Sequence, residues 1–204
     1  MATKFSRRAL AYYQDGRRIG AAREQEILEA IIAAQRGRTD VLIEQVASGE
    51  ITVEQWENRM RAALKEAHLQ AALLGRGGEL TLTSRGRLGG ILRGQYSYLS
   101  KWAAALLAKS PDATPSAIAM LQRRAGLYLK AIRRQYYAAR GEAAIRAGFT
   151  HKRKILMPGE SCDDCKAQAA LGWVPIDDSR VTDPGVGTVC QVNCNCIMKY
   201  KRIQ

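Results

Sequence analysis

Five cysteines stand in the last 43 residues of this 204-residue chain, as Cys162-x2-Cys165 and Cys190-x3-Cys194-x-Cys196, and the preceding 161 residues hold none. Two short-spaced groups of thiols separated by 24 residues can converge on one tetrahedral metal, each sulfur about 2.3 Å from a shared Zn2+. A disulfide framework is the first alternative. It suits a secreted chain, but the cysteine count is odd and the opening MATKFSRRALAYYQDG lacks the apolar stretch of a signal peptide, so a reducing compartment is expected. Unligated structural thiols are the second alternative; those are usually scattered among apolar core positions, whereas these lie in the polar contexts SCDDCK and VNCNC. The pattern predicts a structural zinc, one per chain. Four ligands are needed and five are present. Cys162 and Cys165 make the first pair, Cys194 and Cys196 the second, and Cys190 either replaces one of these or stays free.

Other chemistry lacks material. A zinc deaminase needs His-x-Glu upstream of Pro-Cys-x-x-Cys, with the glutamate moving protons. Here PGESCDDC carries a partial echo, but His151 is followed by Lys152 and Arg153. The only other histidine is His68, inside a helical pattern, where a helix-surface or core residue is the simpler reading. His151 is a further candidate ligand. The Gly-rich stretches lack the Gly-Lys-Ser/Thr ending of a phosphate-binding loop. A metal closed by four thiolates has no open position for water, so its expected role is structural and no enzymatic activity is expected.

The elements that must position the cysteines are mostly helical. Residues 1–20 mix the basic pairs Arg7-Arg8 and Arg17-Arg18 with Phe5, Leu10, Tyr12 and Tyr13, reading as a basic N-terminal arm or short helix. From Ala21 a helical stripe carries Ile27, Ile31 and Ala34, weakens at Gly37, resumes with Val41, Leu42 and Val46, and ends at Ser48-Gly49. Thr52 and Gln55 form a capping box and Ile51 with Trp56 a hydrophobic staple, opening a helix that Gly75 and the GRGG sequence stop. Ser84 to Lys109 is helical in pattern, yet it carries Gly86, Gly89, Gly90 and Gly94. Either Gly86, Gly90 and Gly94 form a smooth groove on a helix, or a Gly-rich loop precedes a helix that starts near Ile91. After Ser110-Pro111-Asp112, Thr114 caps and Pro115 opens a helix reaching Ala147, on the order of 50 Å long at about 1.5 Å per residue. That length suits a span between neighbours in an assembly, or an ordinary surface helix with solvated charges. Beyond Thr150 come short β-prone pieces with few large apolar side chains, a deficit a metal would offset. The expectation is a mainly α protein: a basic arm (1–20), an elongated helical body (21–149) and a small zinc-stapled, β-rich module (150–204).

Charge adds a class of partner. Lys and Arg number 32 against 19 acidic residues, a formal net charge of +13. Residues 1–150 hold 24 of the basic and 13 of the acidic side chains, so the positive field belongs to the body. It favours polyanions, and Arg123, Arg124, Lys130, Arg133 and Arg134 along the last long helix are the candidate contacts to nucleic acid or a partner. The longest apolar run, Trp102 to Ala108, is far too short for a membrane span.

Several motifs carry a resemblance in their order along residues 45–200. They are Gly49-Glu50-Ile51-Thr52-x3-Trp56, Gly75-Arg76-Gly77-Gly78, Gln95-Tyr96-x-Tyr98-Leu99 and Arg124-Ala125-x2-Tyr128. Cys162-x2-Cys165, Gly172-Trp173-x-Pro175, Pro184-Gly185 and Cys194-x-Cys196 follow. In this the chain resembles the phage Mu F-like minor head proteins, the head-morphogenesis family. Where that family often reads His-x2-Cys-Arg-Cys, this chain has Gln191 at the histidine position, Cys190 just before it, and Asn195 in place of arginine. The resemblance implies a phage structural protein, oligomeric within an assembly, acting on portal or capsid subunits at the portal vertex or head interior. Packaged double-stranded DNA would be nearby, and the protein would pass through the host cytoplasm during assembly.

Overall fold

The computed structural model describes residues 3–109, 115–159 and 161–203. Three antiparallel strands open the chain, β1 (Thr3–Ser6), β2 (Ala11–Gln14) and β3 (Arg17–Arg18), in the order β1-β2-β3. The expected arm is therefore a meander. Leu10 and Ala11 are buried, and the Tyr12 hydroxyl donates to the carbonyls of Leu73 and Leu74 at 3.3 and 2.6 Å. Those carbonyls belong to the last turn of a helix, whose orphan acceptors the strand thus satisfies.

Four long helices follow: α1 (Ala21–Ala47), α2 (Val53–Arg76), α3 (Leu82–Lys109) and α4 (Pro115–Arg146). Helix α1 passes through Gly37 without a break. The capping box at α2 is formed in both directions, Gln55 N–H to Thr52 Oγ1 at 3.1 Å and Thr52 N–H to Gln55 Oε1 at 3.0 Å. Gly75 does not stop this helix; Gly77 does, in the left-handed conformation at φ 81°. Gly75 lies instead at the closest approach of α2 to α4, where a Cβ would come within 2.5 Å of the Tyr136 carbonyl oxygen. Helix α3 includes all four of its glycines, so the helical reading of that stretch is the observed one. A Cβ at Gly86, Gly89, Gly90 or Gly94 would meet nothing within 4 Å. The expected cap Thr114 and the break at 110–112 lie outside the described residues.

Helix α4 is the axis of the core. Leu121, Ala125, Tyr128, Leu129, Ile132 and Tyr136 bury against α1 and α2, so much of its length is used within the molecule. Trp102 of α3 meets Trp56 of α2 edge-on, with ring centroids 4.8 Å apart, and stacks on Tyr128 of α4 at 5.9 Å. The tail holds β4 (His151–Ile155), α5 (Asp163–Ala170), β5 (Val174–Pro175), a single 3-10 turn (Gln191–Asn193) and β6 (Ile197–Lys201). Its sheet is antiparallel, in the order β5-β4-β6. Val174, Val181 and Met198 join the same apolar cluster as the helices. The molecule is mainly helical, with a small C-terminal sheet and cysteine cluster.

Candidate metal centre

Cys162 caps the N-terminus of α5 and Cys165 sits in its first turn, so the x2 spacing turns both sulfurs toward one side. The second group arrives on the 3-10 turn, with Cys190 before it, Cys194 after it, and Cys196 leading into β6. All five are free thiols, and Cys165, Cys194 and Cys196 are buried.

Two trios form, Cys162–Cys165–Cys190 and Cys165–Cys194–Cys196, each with its sulfurs within 4.8 Å of one another. Cys165 belongs to both. Its Sγ lies 3.6 Å from Cys190 Sγ and 3.6 Å from Cys194 Sγ. A tetrahedral site with 2.3 Å bonds separates its ligand sulfurs by roughly 3.8 Å. The donor set and its spacing fit a metal ion.

The surroundings bias two of the five sulfurs, those of Cys162 and Cys194, toward the thiolate that binds metal. The backbone N–H of Cys165 at the start of α5 favours the Cys162 thiolate and brings its pKa down to about 7. Burial works against ionisation of Cys194, but the backbone N–H groups of Cys196 and Gly185, together with the Cys165 and Cys190 thiols, outweigh it and hold that pKa low. Burial pushes the Cys165 and Cys190 thiols up, and burial together with the neighbouring Cys194 raises Cys196 to about 11. In a metal-free site one thiolate in each trio therefore ionises first, and a cation would draw in the rest. Thr188 Oγ1 lies 3.2 Å from Cys190 Sγ.

Lys154 is the residue that sequence reasoning missed. It is 0% exposed, donates its Nζ to Gln168 Oε1 on α5, and lowers the Cys196 pKa by its charge. A buried cation beside several thiolates offsets part of their negative charge. The available signal was its place in HKRKI: alternation puts Lys152 and Lys154 on the face opposite Arg153. Gly185, known from the sequence only within the Pro184-Gly185 motif, also turns its N–H toward the cluster.

His151 belongs to neither trio; its Nδ1 lies 2.9 Å from Thr150 Oγ1. Gln191 is exposed, in the left-handed region at φ 44°. His68 is wholly buried in α2 and belongs to neither trio, and its pKa is pushed down to about 4 by burial.

The five basic candidates on α4 are split by the fold. Arg133 chelates Glu29 of α1 and also bonds Asn195. Lys130 bonds Asn193. Arg124 lies over the Trp102 ring, 5.0 Å from its centroid. Arg123 and Arg134 are exposed. Asn193 and Asn195 flank Cys194, so the cysteine loop is seated directly on the cations of α4. No family model, curated protein or solved structure matches this chain.

Proposed function

We propose that this chain is a structural phage protein of the Mu F-like minor head type, acting at the portal vertex or head interior in assembly or genome packaging. Its helical body docks on portal or capsid subunits, and a single zinc clasps the tail. The observation that carries this reading is the convergence of five thiols, two of them 3.6 Å from a common Cys165 sulfur, at the end of a long-helix body. Soft thiolate ligands at tetrahedral spacing favour zinc over hard cations. A shell closed by four thiolates would hold the fold without catalysing a reaction.

Two measurements test it. Elemental analysis of the purified protein is expected to give one zinc per chain. Proheads and mature virions of the parent phage are expected to contain the protein; its absence from both would remove the assembly role while leaving the metal centre standing.

A further inference from the structure

Strands β4 and β6 pair with His151 opposite Lys201 and Arg153 opposite Lys199. Lys154 and Met198, on the inner side, are buried; Arg153, Lys199 and Lys201 are exposed on the outer side. Like charges directly opposite on a sheet destabilise it. None of these three cations forms an ion pair among the described residues. Lys201 Nζ lies 6.0 Å from the centre of the Trp173 ring beside β5, which extends the same face.

We propose that this outer face is a binding surface for the phosphate backbone of double-stranded DNA. Lys199 and Lys201 stand about 6.6 to 6.8 Å apart along β6 and Arg153 about 5 Å across from Lys199, a scale comparable with the step between neighbouring phosphates. A bound polyanion would convert the repulsion between Arg153 and Lys199 into shared attraction. The exposed side chains at the middle of the face are Arg153, Lys199 and Lys201, with the Ile155–Ile197 pair at one end; the interface cores of protein partners are depleted in lysine, whereas phosphate contacts are made by lysine and arginine. The fold also takes Lys130 and Arg133 of α4 into internal bonds, which removes two of the five α4 candidates from the exposed set. This inference needs the folded tail but not the head-assembly role, so either can fail alone.

The test uses the full chain and a short fluorescent duplex DNA, with binding followed by anisotropy through a salt titration. Arg153→Gln with Lys199→Gln is expected to reduce the slope of log affinity against log salt by about 2, at about 0.9 per phosphate contact. Arg123→Gln with Arg134→Gln, on α4, is expected to leave that slope unchanged. Lys199→Glu provides an independent readout: the melting temperature is expected to rise as the like-charge pair is removed, while DNA affinity falls. Absence of duplex binding by the unaltered chain overturns the proposal, as does a salt slope lost on α4 rather than on the sheet. So does a raised melting temperature with DNA affinity intact. Tighter binding to poly-L-glutamate than to duplex would assign the face to an acidic protein instead.

Discussion

Cys165 is the one sulfur common to both trios, and its loss should differ in kind from the loss of the others. Cys165→Ser is expected to abolish metal binding, whereas Cys190→Ser should retain a bound metal; metal-to-protein ratios after gel filtration give the answer. Identifying the cysteines from sequence was possible because spacing alone brings short-spaced thiols together. Lys154 was not identified, because its burial depends on Gln168 of α5 packed against its strand, not on its neighbours in the chain. For His68 the sequence left helix surface and core both open, and the structure places it in the core. Both of its ring nitrogens lack a protein partner among the described residues, and burial holds its pKa at about 4 against an ordinary 6.5. The unfolded chain then takes up a proton that the folded chain resists. Stability is at its full value above pH 6.5 and falls as the pH drops toward about 4, by about 3 kcal/mol in total. His68→Leu is expected to flatten this limb in acid titrations of chemical unfolding.

Elements were legible where local signals agreed. The α2 capping box and the helix over Pro115–Arg146 follow from residues a few positions apart. The glycines were harder, because one residue type serves opposite ends. Gly75 admits α4 to close range, so Gly75→Ala should cost about 1–3 kcal/mol, since the atom it meets is the Tyr136 carbonyl, which side-chain motion cannot relieve. Gly90 faces open space on α3, so Gly90→Ala should stabilise the isolated protein by about 1 kcal/mol through helix propensity alone. Denaturant midpoints of the two variants should therefore move in opposite directions. The meander of residues 3–18 was not legible, because its burial depends on partners more than 60 positions away: Tyr12 on Leu74, and Leu10 beside Arg140.

At the scale of the whole molecule, Arg140 joins three parts of the chain. Its guanidinium pairs with Glu24 of α1 at 2.9 Å, bonds the Leu10 carbonyl and lies over the Phe5 ring. The side chains of the pair are only 10% and 5% exposed. Arg140→Met should cost about 3–5 kcal/mol by leaving Glu24 buried and unpaired, and Glu24→Gln in the same background should restore part of it, measured as unfolding free energy. The tail is tied in as well: Arg202 bonds the carbonyls of Arg8 and Ala147. Central placement of α4 has a consequence for biosynthesis. The faces of α1 and α2 that pack on α4 find their cover only when residues 115–146 have emerged, so at about 5–20 residues per second the growing chain carries partly uncovered apolar helices for roughly 5–20 seconds. During that interval the nascent protein is a client for chaperones, and the last helix of the bundle, not the first, sets when it becomes safe from aggregation.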